Sequence, residues 1–142
     1  MAIVGRKPKP EDQRRNQNKP RHDWIEVERR SYRGGPNLPD TQPTGLPWPD
    51  RTKDWWAIVR RMPHARLWTK ADWGFALDTA LVAAHFHGGE LGAAVELRQR
   101  EKILGTTMDA RRDLRIRYIE PRPEEERAGV TAIADYRKAL EE

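Results

Sequence analysis

The chain contains no cysteine, and this absence removes several kinds of chemistry together. Disulfides, thiolate metal sites, iron–sulfur clusters and cysteine nucleophiles are all excluded, so stability must come from packing. Serine is nearly as rare, and Ser31 is the only one in 142 residues. No histidine accompanies it in a recognisable motif, and serine-based hydrolysis therefore has little support.

Long apolar runs and nucleotide-binding motifs are also missing. No stretch approaches the ~18 apolar residues that a membrane span needs, and the N-terminus lacks the apolar core of a secretory signal. Neither GxxxxGK[ST] nor GxGxxG occurs, so nucleotide hydrolysis and dinucleotide binding lack their usual machinery. We expect no membrane partner, no cofactor and no catalytic residues.

Candidate metal and acid–base groups have simpler explanations. His85 and His87 stand at i, i+2 on a predicted helix and point in different directions, so we expect ordinary helix-end histidines and no metal site. Helix capping and pairing with arginines explain the carboxylates better than catalysis does. The acidic pairs concerned are Asp72 with Asp78 and Asp109 with Asp113.

The positive charge is concentrated at the N-terminus. Residues 1–21 hold seven basic and two acidic side chains, and their net +5 equals that of the whole chain. Such a segment can bind phosphates by counterion release, or can simply keep the protein in solution. The basic residues, which are our first candidates for DNA binding, are Arg6, Lys7, Lys9, Arg14, Arg15, Lys19 and Arg21.

The distribution of proline divides the chain. Eight of the 11 prolines lie in the first 49 residues, which excludes regular helix from most of that stretch. We predict an all-α fold with a compact helical body that has a central helical hairpin. The predicted segments are a disordered basic arm (1–21), an extended Pro-rich strap (22–49), the helical oligomerisation body (50–119), and an acidic linker with a C-terminal helix (120–142).

Within the strap, Trp24 to Val27 has a β-compatible composition, and Trp48 is the expected anchor on the body. The body begins with a helix that Asp50 or Thr52 can cap and that Pro63 closes. Its apolar residues recur every three or four positions: Trp55, Ile58, Val59 and Met62.

A capping box of Thr69 and Asp72 starts the second predicted helix, which runs to His87 and ends at two glycines. The third helix runs from about Glu90 to Leu104 and should form an antiparallel hairpin with the second. A fourth is predicted from Met108 to about Tyr118. Its face of Arg111, Arg112 and Arg115 is the second DNA-binding candidate, with ion pairs to Asp109 and Asp113 as the alternative.

The second helix is apolar in nearly every direction, which is more than so polar a chain can bury alone. We therefore expect copies of the chain to associate through Trp73, Leu77, Leu81, Phe86, Leu91 and Val95. The six tryptophans could stack on single-stranded nucleic acid, but core and interface packing is favoured.

The order of several sequence blocks resembles the small terminase subunits of tailed phages that infect actinobacteria. The resemblance covers nearly the whole chain and is weakest beyond about residue 120. The blocks are Gly5-Arg6-Lys7-Pro8, Arg14-Arg15-Asn16, the Trp24 segment leading to Leu38-Pro39, Trp55-Trp56, Arg61-Met62-Pro63-His64, Leu67-Trp68, Ala71-Asp72-Trp73, Leu77 to Leu81, Glu96 to Lys102, Leu104 to Thr107 and Asp109 to Arg115.

This resemblance implies a non-catalytic component of DNA packaging. Small terminase subunits form homo-oligomeric rings, bind double-stranded phage DNA at the packaging start site, and recruit or regulate the large subunit, which holds the ATPase and nuclease. They act in the host cytoplasm during assembly and are not expected in the mature virion. No N-terminal helix-turn-helix is visible here, so the basic arm or the helix-four arginines would have to contact DNA.

Two rival functions remain open on the sequence. One is a phage structural or adaptor protein that oligomerises without recognising DNA. The other is an enzyme acting on nucleic acid, which would need a metal-binding carboxylate cluster around Asp72 or Asp109.

Overall fold

The computed structural model describes residues 23–123, which form one packed helical unit with a small sheet. Two short 3-10 helices, Pro63–Leu67 and Leu91–Ala93, connect the longer elements. In chain order the helices and strands are β1 (Ile25–Glu28), α1 (Asp50–Val59), α2 (Lys70–His87), α3 (Ala94–Leu104), α4 (Met108–Asp113) and β2 (Ile116–Ile119).

Helix α1 begins at Asp50 and presents a wide apolar face to the core, but Pro49 is at its N-cap and no side chain caps it, so the predicted cap by Asp50 or Thr52 was wrong. The buried residues of α1 are Thr52, Trp55, Trp56 and Val59, a spacing of three and four that places them on one side of the helix. The prediction that Ile58 belongs to this face was wrong, because its side chain is 64% exposed. Met62 is buried just beyond the helix, as the spacing indicated.

Helix α2 confirms the predicted capping box. The Thr69 amide donates to the Asp72 carboxylate (2.7 Å), and the Asp72 amide donates back to the Thr69 hydroxyl (3.4 Å). Its fully buried face consists of small residues, and larger side chains flank that face half-buried. The buried residues are Ala76, Thr79, Ala80, Ala83 and Ala84.

Helices α2 and α3 pack against each other, joined by the Gly88-Gly89 turn and the second 3-10 helix. Gly89 adopts φ +104°, where glycine is favoured. Helix α3 ends at Gly105 in the left-handed conformation, as its sequence indicated. The α3 carboxylate of Glu101 accepts a hydrogen bond from Trp55 Nε1 (2.8 Å), which ties α3 to α1.

The prediction of a fourth helix reaching Tyr118 was wrong. Helix α4 ends at Asp113, the chain turns at Arg115 with φ +58°, and β2 follows. Two isoleucines and a tyrosine give the four residues of β2 a β-compatible composition, and pairing with β1 outweighs their helical spacing. The fold is therefore mostly helical and not all-α.

Strands β1 and β2 form a parallel pair that joins the two ends of the described chain. Their register places Glu26 opposite Arg117, whose side chains come within 3.9 Å. The Arg117 guanidinium also lies over the Trp24 ring, 4.8 Å from its centroid. The short β-compatible segment predicted at residues 24–27 is thus a strand, and its partner was not foreseen.

The Pro-rich strap lies on the helical body and is held by indole hydrogen bonds. Trp48 is only 5% exposed, and its Nε1–H donates to the Pro39 carbonyl (2.8 Å). Trp56 of α1 donates in the same way to the Pro36 carbonyl (3.0 Å). The prediction that Trp48 anchors the strap is confirmed.

Tryptophans form much of the core, as predicted. Trp48, Trp55 and Trp56 are buried, and Trp68 and Trp73 pack half-buried against them. The Trp68 and Trp73 rings meet edge to face with centroids 4.8 Å apart, a favoured aromatic geometry.

The imidazole of His64 links three separate segments inside the core. Its Nε2–H donates to the Leu104 carbonyl (2.7 Å), and its Nδ1 accepts from the Tyr118 hydroxyl (2.6 Å). This assignment follows because a carbonyl oxygen can only accept. Burial lowers the His64 pKa, and the nearby Arg111 charge acts in the same direction, against the Leu104 hydrogen bond.

The predicted basic arm and C-terminal helix lie outside the described residues. Across residues 23–123, the helices are too short or too polar for any of them to cross a bilayer.

Replacing Trp48 with Ala should destabilise the fold by about 3–5 kcal/mol, because it empties a buried indole site and leaves the Pro39 carbonyl without its donor. Urea denaturation followed by far-UV circular dichroism measures the change. Leu46→Ala is the matched control, since Leu46 lies in the same strap but is 61% exposed and should change stability by less than about 0.5 kcal/mol. Equal effects of the two substitutions would contradict the anchoring role.

The neutral His64 predicts a loss of stability in acid. Since folding lowers its pKa below the ordinary 6.5, the unfolded chain binds more protons there, and stability should fall as pH drops below about 6.5. Each such histidine contributes a slope of at most about 1.4 kcal/mol per pH unit.

Denaturation at pH values from 7.5 down to 5 should therefore show a shallower slope for His64→Gln than for the wild type. His87→Gln is a second variant for the same measurement. Burial and then the Arg51 charge also lower the His87 pKa, so its slope should also be shallower than that of the wild type. An unchanged slope in His64→Gln would show that His64 does not control the acid response.

Candidate nucleic-acid interface

Three arginines converge at the junction between the strap and the end of α1. They line an open cleft of about 420 Å³ together with a serine and a tyrosine. We name this the arginine cleft, and its lining residues are Ser31, Tyr32, Arg33, Arg60 and Arg61.

Hydrogen bonds from the backbone and from arginine side chains hold the two walls of the cleft together. The Tyr32 amide donates to the Arg61 carbonyl (3.1 Å), which lays the strap along the end of α1. Arg60 Nη2 donates to the Gly35 carbonyl (2.6 Å), and its Nη1 donates to Asn37 Oδ1. The guanidinium of Arg60 therefore has a fixed orientation.

Close packing of Tyr32 and Gly35 against the helical body fixes the position of the strap wall of the cleft. The Tyr32 ring stacks on Trp73 of α2, with centroids 6.3 Å apart and planes inclined by 22°. Gly35 is buried so tightly that a Cβ there would lie 2.7 Å from the Arg60 carbonyl. A larger residue at position 35 would push the strap away from α1, so this glycine is required by space.

The electrostatic character of the cleft is cationic. Its lining contains three guanidinium groups and no carboxylate. Arg33 and Arg61 are exposed, and their side chains form no hydrogen bond or ion pair with the other residues of the described part of the chain. Arginine presents five N–H donors in a planar fork, so the cleft can hold an anion such as a phosphate group.

The structure divides the predicted DNA-binding residues. All seven basic residues of the arm lie outside the described residues. Arg111 is half-buried, and its Nη1 donates to the Gly105 and Thr106 carbonyls (3.2 and 3.0 Å), while its guanidinium lies over the Tyr118 ring. Arg111 therefore caps the end of α3.

Arg112 is exposed on α4, but Arg115 lies beyond the end of that helix. The predicted face of Arg111, Arg112 and Arg115 assumed a continuous helix. Because the backbone turns at Arg115, helical spacing does not place the three guanidinium groups together.

The six predicted interface residues fall into two groups. Trp73, Leu77, Leu81 and Phe86 pack half-buried against the core of the same chain. Leu91 and Val95 are 76% and 54% exposed. Leu91 lies in the 3-10 helix before α3, four residues ahead of Val95 at the start of α3, and Ile103 is a further exposed apolar residue near the end of α3.

The remaining polar candidates have structural partners. His85 Nδ1 lies 2.7 Å from the Glu90 carboxylate, and His87 Nδ1 lies 2.8 Å from the Thr52 hydroxyl. The Thr69 amide and then its hydroxyl lower the Asp72 pKa, as expected of a capping carboxylate. In residues 23–123, no cluster of three histidines or carboxylates has the geometry of a metal site.

Sequence patterns did not predict the arginine cleft, because its two walls are almost 30 residues apart in the chain. The available signals were the Arg60-Arg61 doublet at a helix end and Arg33 before two glycines. Neither signal indicates that the strap returns to the end of α1.

Comparison with known proteins agrees with the ordered sequence blocks. The family model described as phage terminase small subunit matches residues 3–141. No curated protein and no solved structure shows significant similarity to the chain. The family match confirms the resemblance to small terminase subunits. Since it spans nearly the whole sequence, this protein belongs to the phage terminase small subunit family.

Proposed function

We propose that this chain binds phage DNA where packaging starts and recruits or regulates the large terminase subunit. The observation that carries the proposal is the family match across residues 3–141. Family membership indicates a role in phage DNA packaging, inside the host cell. The family is typically a non-catalytic regulator that binds DNA, and we assign this chain the same character.

DNA binding through the N-terminal arm is supported by charge. Residues 1–21 contribute a net +5, and they join the folded unit just before β1. Lysine and arginine in such a segment neutralise phosphates and release counterions, which favours binding at low salt.

Assembly into a ring is supported by the exposed apolar surface of α3. We use the name α3 surface for three residues that are each more than half exposed, namely Leu91 in the 3-10 helix before α3 and Val95 and Ile103 on α3. Exposed apolar side chains are suited to contact between copies of a chain, and a repeated head-to-tail contact closes a ring.

A variant whose arm has no basic side chains should bind duplex DNA more weakly than the wild type. In this variant all seven lysines and arginines of residues 1–21 are replaced by glutamine, so the chain length is preserved. Affinity should fall, and the slope of log K against log salt should shrink by about 0.9 for each phosphate that the arm no longer neutralises. Fluorescence anisotropy with a labelled duplex from the packaging region measures both quantities.

A scrambled duplex of the same length is the control for sequence recognition. Unchanged affinity and slope in the variant without basic arm residues would reject the arm as a DNA-binding element. A wild-type protein that forms oligomers but binds neither duplex would favour the adaptor function instead.

Substituting the α3 surface should dissociate the oligomer. Val95→Glu places a charge on an apolar contact, and burying that charge would cost several kcal/mol. Native mass spectrometry should therefore show smaller assemblies than for the wild type, with an unchanged circular dichroism spectrum. Ile58→Glu is the control, because Ile58 is comparably exposed on α1 but lies outside this surface. If Val95→Glu forms assemblies of the same mass as the wild type, Val95 does not lie in the interface.

A further inference from the structure

We propose that the arginine cleft binds the phosphodiester backbone of duplex DNA, independently of the arm. This inference rests on the proposed function and adds to it a second, folded contact surface. It concerns Arg33, Arg60 and Arg61, none of which belongs to the segments singled out from charge runs or helical spacing.

The first argument is the number of N–H donors that remain available. Hydrogen bonds to Gly35 and Asn37 use two donors of Arg60, and a guanidinium has five. Arg33 and Arg61 retain their full sets toward the rest of the described chain. Donors of all three guanidinium groups therefore remain available to an anion in the cleft.

The second argument is preorganisation. The bonds from Tyr32 to Arg61 and from Arg60 to Gly35 fix both walls before any ligand arrives. Binding then requires little additional ordering of the backbone, which lowers the entropic cost. Ser31 and Tyr32 add hydroxyl groups to the lining, and hydroxyls donate readily to phosphate oxygens.

The chemistry of the lining favours phosphate over a carboxylate-bearing protein partner. Guanidinium groups form two parallel hydrogen bonds with phosphate oxygens. Most of the lining surface is polar, whereas protein interfaces usually contain buried aromatic or aliphatic anchors. The cleft is also open on one side, so a continuous polymer can lie across it. Since such contacts carry no base information, the cleft should bind duplexes regardless of sequence.

The test compares two full-length variants with the same reduction in charge. The first is Arg33→Gln with Arg61→Gln, which leaves the Arg60 hydrogen bonds to the strap in place. The control is Arg51→Gln with Arg98→Gln, two exposed arginines outside the cleft lining. Anisotropy titrations use the packaging-region duplex and its scrambled counterpart over a series of salt concentrations, and circular dichroism verifies folding.

The cleft variant should bind both duplexes roughly tenfold or more weakly than the control, with a salt slope reduced by about 2. If the wild type binds DNA and the cleft variant binds it as tightly as the control does, the cleft proposal is wrong. A wild type that binds no duplex would instead overturn the proposed function. Inorganic phosphate is titrated in parallel at constant ionic strength. If it binds the wild type in an arginine-dependent way while duplex binding does not depend on the cleft, the site is one for free phosphate and the DNA assignment is wrong.

Discussion

The structure depends on large indole rings of α1 packed against the small side chains of α2. Alanines at positions 76, 80 and 83 are fully buried, and their size leaves room for Trp55 and Trp56 in the same core cluster. Burial of an aromatic side chain contributes more than that of most other residues. A chain with only 37% hydrophobic residues can therefore build a core from few but large groups.

The same indole rings also place the strap, and the strap forms one wall of the arginine cleft. Trp56 is buried in the helical core, yet its Nε1–H reaches the Pro36 carbonyl. Trp73 packs edge to face on Trp56 and stacks on Tyr32. Core packing and the shape of the cleft are thus coupled through these two tryptophans. A substitution that loosens the core would also disturb Arg60 and its hydrogen bonds to the strap.

Local signals in the sequence predicted the helices well, and long-range contacts account for what was missed. The capping box at Thr69 starts α2, and Gly105 ends α3. Both signals act within a few residues, so the sequence alone identified the start of one helix and the end of the other. The strand at residues 116–119 depends on a partner some 90 residues away, and helical periodicity there was misleading. Arg111 illustrates the same limit for the candidate site. Its spacing suggested a cationic face that contacts DNA or forms ion pairs with Asp109 and Asp113, whereas the fold uses its guanidinium to cap α3.

The parallel strand pair relates the arm to the cleft. The arm precedes the start of β1, and the cleft begins three residues after β1 ends. Since β1 spans four residues, only about 13 Å of strand separates its two ends. Under the two proposals, arm and cleft are phosphate contacts on one chain, and binding at the first would raise the effective concentration at the second. Because only one short strand separates the start of β1 from the cleft, modest contacts at each would then suffice for firm binding by the pair.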